Sequence, residues 1–142
     1  MIVMIMMSNM TLYLQVLLIS IEKYIQSTQT YPHFEDWIVF FLFESIRKAW
    51  NHLEDENGYL AIHIINIGNQ KPYADLIHLF IQAQFYNALF MKTILTSGGK
   101  NVIPIWVWKK TNQLLPNRSR MQSTAYNILR SHYPNISKKL LH

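Results

Sequence analysis

The sequence predicts an all-α fold, a short stack of helix pairs behind an N-terminal capping helix. Three observations predict it. From Phe34 to Leu53 apolar residues recur at mixed three- and four-residue spacings, the period of one helical face. Beyond that stretch, Asn57-Gly58, Gly68-Asn69, Gly98-Gly99 and Pro134-Asn135 repeatedly cut the apolar pattern into helix-length pieces. Strand signals are weak throughout.

A chain of 142 residues, half of them apolar, is long enough for one domain with its own core and short for two. Charged residues make up only 15% and the mean hydropathy is +0.03. Disorder is therefore not expected, and some apolar surface should stay exposed after folding, where it would suit a partner protein. There is no cysteine, which removes disulfide scaffolds, thiolate metal sites and cysteine nucleophiles. The net charge of +5 hides an asymmetry, because all eight acids (Glu22, Glu35, Asp36, Glu44, Glu54, Asp55, Glu56 and Asp75) lie before residue 76. From Leu76 to His142 there are nine Lys and Arg and no carboxylate. That half should carry a positive field attractive to acidic partners, phosphate or anionic lipid, or a solvated basic face that keeps an apolar chain soluble.

Residues 1–33 read as an N-terminal apolar helix or an extension upstream of a later start such as Met10. The apolar run of residues 1–20 lacks a basic start and is interrupted by Ser8, Asn9, Thr11 and Gln15, which speaks against an uninterrupted membrane span or a signal peptide. Were it a signal peptide, the sequons at Asn9, Asn117 and Asn135 would be available. Residues 34–54 form the capping helix. Glu35 and Asp36 near its start and Arg47 and Lys48 near its end complement the helix dipole. Its stripe of Trp37, Phe40, Phe41, Phe43, Ile46 and Trp50 is core packing rather than a cofactor pocket. Residues 55–142 then alternate short helices and turns. An apolar run to Ile67 comes first, then Tyr73–Gln84 after Pro72, then Asn87–Leu95. Pro104–Lys110 follows with proline in its first turn, and a last pair spans Ala125–His132 and Ile136–Leu141, capped by Ser123-Thr124.

Helix pairs at such spacing invite a test for repeats of about 33 residues. Asp55-Glu56-Asn57-Gly58-Tyr59-Leu60-Ala61-Ile62-His63-Ile64-Ile65 resembles the D-x-x-G-x-T-P-L-H-x-A opening of an ankyrin repeat, and Leu76-Ile77-His78-Leu79-Phe80 resembles its second helix. Thr124-Ala125-Tyr126-Asn127-Ile128-Leu129 resembles the T-P-Y-D-x-A variant, with Leu140-Leu141 at the matching spacing. Asn87-Ala88-Leu89-Phe90 and Trp106-Val107-Trp108 would form a weaker middle unit, so residues 55–142 would hold about three degenerate ankyrin repeats.

Together with the helix FEDWIVFFLFESIRKAWNHL, these segments are similar to the short I-kappa-B-like viral ankyrin proteins of polydnaviruses. That resemblance implies binding and inhibition of host NF-kappa-B/Rel transcription factors and suppression of the host immune response. It places the protein in the host cytoplasm, extending to the nucleus, with no enzymatic activity and no cofactor. It leaves the binding residues unassigned.

Other motifs point to structure rather than chemistry. His63 and His78 have no acid or cysteine at ligand spacing, so structural histidines are expected and no metal site. Gly98-Gly99-Lys100 lacks the framework of a phosphate loop and reads as a flexible turn. Ser119, Ser123 and Ser131 have no nucleophile context. Trp106, Trp108, Lys109, Lys110, Arg118 and Arg120 mix aromatic and basic residues as nucleic-acid surfaces do, which makes a basic nucleic-acid-binding module one alternative. A small membrane-associated helical protein, anchored through residues 1–20, is the other.

Overall fold

The structure is a computed structural model that describes residues 3–8, 15–18, 21–56, 58–98, 101–113 and 115–141, with side-chain exposure described from residue 25 onward apart from 57, 96–103, 114 and 142. It corrects the all-α expectation: the chain is mixed α/β. Strands β3 (Gly58–His63), β4 (Ala88–Gly98) and β5 (Asn101–Lys110) form a three-stranded antiparallel unit. β1 (Val3–Ser8) and β2 (Gln15–Leu18) extend it to five strands in the order β2-β1-β3-β5-β4. The helices are α1 (Ile21–Thr30), α2 (Phe34–Trp37), a π-helical segment (Ile38–Phe43), α3 (Glu44–His52), α4 (Tyr73–Gln84), α5 (Arg118–His132) and α6 (Pro134–Leu140).

The ankyrin-type stack is absent because its signature segments take other conformations. The apolar run after Gly58, expected to open a helix, is β3, and it pairs with β1 on one side and β5 on the other. A short apolar run bounded by turns is compatible with either state, and two strand partners decide it here. Asn87–Leu95 and Pro104–Lys110, expected as helices, lie in a hairpin closed at Gly98↔Asn101. Gly-Gly between runs rich in Thr, Ile, Val and Trp is a hairpin signal, and those residues favour the pleated surface. Pro104 lies just past Ile105, the last β5 residue paired with β3, where only β4 flanks it, a place where a missing N–H is tolerated. Thr124, expected to open a repeat, sits inside α5. The described parts of residues 1–20 are strand, not helix.

Four expected helices are present. Phe34–Leu53 appears as α2, the π-helical segment and α3. Its wider central turn sets Ile38, Val39, Leu42 and Phe43 together against the core. It therefore forms part of the domain core and does not cap a stack. Trp37, Phe43, Ile46 and Trp50 of its aromatic stripe are buried, while Phe40 is exposed. α4, α5 and α6 cover the other three expected helical segments. The N-terminus of α4 is capped from outside the helix, since Asn66 Oδ1 accepts hydrogen bonds from the amides of Ala74 (2.9 Å) and Asp75 (3.3 Å).

One core holds these layers together. Leu60, Ile62 and Trp108 from the sheet share a buried cluster with residues of α2, α3, α4, α5 and α6, so these helices cover one face of the sheet. Phe43 stacks on Phe80 at 4.2 Å, Trp50 stacks on Phe85 at 5.0 Å, and Phe80 meets Phe85 edge-on. Gly58 marks the tightest approach, because a Cβ there would lie 2.7 Å from the Glu54 carbonyl oxygen and 2.8 Å from Leu53 Cβ.

Candidate protein-binding edge

Among the described residues β4 is the outermost strand on its side of the sheet and pairs with β5 alone. Ala88 at its start is buried, but its large apolar side chains are not hidden: Leu89, Phe90, Met91, Ile94 and Leu95 are all exposed, Leu95 by 67%. A long apolar edge strand offers unpaired backbone groups beside apolar surface, the combination that takes up a further strand. A register shift between Phe90 and Lys92 marks a bulge at Met91. Cross-strand partners share a face of the sheet, so Phe90 (opposite Trp108), Thr93 (opposite Trp106) and Leu95 (opposite Pro104) stand on the helix-covered side. Leu89, Lys92 and Ile94 stand on the other side, with Val107, Ile105 and Lys109 as partners.

The edge is supported from behind. Phe90 lies edge-on to both His78 (5.3 Å) and Trp108 (5.6 Å), and His78 also meets Trp106 at 4.6 Å. Trp106 Nε1 donates to the Ile64 carbonyl at 3.0 Å, which fixes its ring. Burial holds the His78 imidazole below its ordinary pKa, opposed in part by the nearby Asp75 carboxylate. A neutral ring is therefore favoured against these aromatics. His78 Nε2 and Trp108 Nε1 are both buried without a hydrogen-bond partner.

His78 also lines a cleft of about 340 Å³ between α4 and α5, with Asp75, Gln82, His132 and Tyr133 as its other polar lining residues. His132 Nδ1 lies 3.3 Å from the Ile128 carbonyl. Burial, with the Asp75 charge second, pushes the Tyr133 hydroxyl pKa up and keeps it neutral. Among the described residues no group of three or more His, Cys, Asp or Glu is placed to hold a metal ion.

The basic half is organised differently from its sequence pattern. Arg118 is buried, and its guanidinium donates to the carbonyls of Ile81 (3.3 Å), Gln82 (2.9 Å) and Phe85, closing the C-terminal end of α4. Lys110 does the same for α3, with Nζ donating to the carbonyls of Trp50 (3.0 Å) and Leu53 (3.2 Å) and lying 3.4 Å from Asp55. Helix C-termini present unpaired carbonyls and negative dipole ends, so the two buried cations find acceptors there with one carboxylate nearby, although Arg118 Nε is buried without a partner. Lys139 pairs with Asp36 (2.6 Å) and Glu35 (3.7 Å), fastening α6 to α2.

The aromatic-basic cluster read from the sequence is thus dispersed. Trp108, Lys110 and Arg118 are interior, Trp106 is half-buried, and Lys109 lies over the Tyr59 ring at 5.8 Å, leaving Arg120 exposed on α5. His63 lies on β3 rather than at a repeat turn, with Nδ1 buried and unpaired. Ser119, Ser123 and Ser131 are exposed along α5. Gly98 ends β4, while residues 99 and 100 of the expected turn lie outside the described residues, as does Asn9. Asn117 precedes α5 in a left-handed conformation, and Asn135 in α6 donates to Glu35 at 3.4 Å. Among the described residues no helix is long and apolar enough to cross a membrane.

Sequence reasoning missed the β4 edge because it assigned residues 87–95 to a helix. The signal that could have found it was Gly98-Gly99 between two β-favouring runs. A comparison of the chain with family models, curated proteins and solved structures finds no match.

Proposed function

We propose that the protein is a non-catalytic binding module that captures a partner protein by adding an extended segment of it to β4. The observation that carries this reading is the exposure of five large apolar side chains along one unpaired edge strand. Strand addition uses main-chain hydrogen bonds for affinity and alternate side chains for specificity. Phe90, braced by His78 and Trp108, supplies an anchored aromatic surface on one side of the edge.

Part of the expectation from the viral ankyrin proteins, stoichiometric capture without chemistry, does not depend on repeats and is retained. The Rel partner depended on helix-pair registers at Asp55 and Thr124 that the fold does not contain, so it is not carried forward. The test is to select binders from a displayed peptide library and map them by amide hydrogen exchange. Protection gathered on Leu89–Leu95 is expected, and protection confined to the α4–α5 cleft or to the helices would sink the reading.

A further inference from the structure

We infer that the segment taken up by β4 is acidic, an extended stretch that sets a carboxylate opposite Lys92 among apolar residues. The inference rests on the reading of β4 as a pairing edge, and what it adds comes from charge. None of the described strands contains Asp or Glu, while β4 and β5 contain Lys92, Lys109 and Lys110. Lys110 is turned inward to the end of α3. Lys109 Nζ lies over the Tyr59 ring of β3, on the far side of β5 from the edge, so the amine left beside the edge is that of exposed Lys92. Lys92 pairs with Val107, so it stands on the sheet face away from the helices.

A residue of an added strand directly opposite Lys92 would stand on that same face, where an opposite charge stabilises and a like charge destabilises the pair. The next residue, opposite Thr93, would point to the helix side beside Thr93 and Leu95. The pleat therefore sets an acidic residue between apolar neighbours.

A second copy of this chain is the obvious competitor for an apolar edge. Charge disfavours it, because the copy would bring an equally acid-free edge and a net charge of +5. Lysine and a bulge on an edge are the usual deterrents to self-pairing. Here Lys92 deters a neutral or basic strand and attracts an acidic one.

Fluorescence anisotropy with the full chain tests this, using a labelled probe of about ten residues alternating Val and Glu and its counterpart with Lys for Glu. The acidic probe should bind at least about tenfold more tightly, and its affinity should fall as salt is raised. Lys92→Glu should reverse the order of the two probes. Equal binding of both probes, or no reversal in Lys92→Glu, overturns the charge inference. The edge reading still stands in that case if a backbone N-methylated acidic probe fails to bind, and falls if that probe binds as well as its parent. Binding of neither probe also overturns the inference, and the library mapping then decides the edge reading separately. If the chain alone sediments as a dimer with β4 amides protected from exchange, the occupant is a second copy and the inference is overturned.

Discussion

Phe80 and Phe90 belong to neighbouring elements, α4 and β4, and meet opposite environments. Phe80 is fully buried, stacked on Phe43 and edge-on to Phe85, whereas Phe90 is 41% exposed and has aromatic neighbours on one side only. The helices cover Leu60, Ile62 and Trp108 and meet the outermost strand at Ala88, buried in the same core, and at Phe90, which His78 touches, while Leu89, Met91, Ile94 and Leu95 stay exposed. Apolar surface in this chain therefore has two uses: the covered part holds the domain together, and the uncovered part along β4 is open to another chain.

Truncation separates the two surfaces. Phe80→Ala should show the largest effect, a loss of about 3–5 kcal/mol in urea unfolding, because it removes a fully buried ring and leaves a cavity. A loss below 1 kcal/mol would mean that the helix-side core is not the stabilising half. Arg118→Met comes next. It leaves the carbonyls at the end of α4 without their donor inside the fold, and a loss of about 2–3 kcal/mol is expected by the same measurement. Gly58→Ala should cost about 1–3 kcal/mol, since the new methyl meets backbone that cannot easily withdraw. A neutral result there would show that the turn before β3 is free to shift.

Two further measurements sharpen the contrast from the β4 side. The pKa of His78 is lowered by burial, so the unfolded chain binds the proton more readily than the folded one. Its contribution to stability is complete above the unfolded value near 6.5 and is lost as pH falls through the depressed folded value. Urea unfolding followed from pH 7.5 to 5 should show this decline, and His78→Gln should flatten it. An unchanged slope in that variant would remove His78 from the account. Leu95→Ser should show the smallest effect on folding, within about 0.5 kcal/mol, because an exposed side chain away from caps and core contributes little. A large loss there would make the β4 surface structural instead of available.

Helices were legible where local pattern and tertiary packing agree. The three- and four-residue spacing over Phe34–Leu53 describes a face that is buried, and α4, α5 and α6 fall on segments with the same period. Strands were not legible where burial on both faces removes their two-residue period. Leu60-Ala61-Ile62 has no alternation of apolar and polar residues because β3 is buried on both sides, with Leu60 and Ile62 in the main core and Ala61 buried outside it. A continuous apolar run of that length fits either state until its partners are known. The candidate site was half legible. Low charge and high hydropathy called for exposed apolar surface, but its location on β4 needed the hairpin.

The basic half shows the same division most clearly. Sequence alone established that nine cations and no acids follow residue 75, that no cysteine chemistry is available, and that the chain is apolar enough for a packed core. Tertiary structure alone decided that Lys110 and Arg118 close the ends of α3 and α4, that Lys139 pairs with Glu35 and Asp36 more than a hundred residues earlier, and that Lys92 stands beside an open edge. Composition and helical period are local properties carried by neighbouring residues. Strand partners, helix-end caps and uncovered edges depend on which distant segments meet, and they are fixed only when the chain closes on itself.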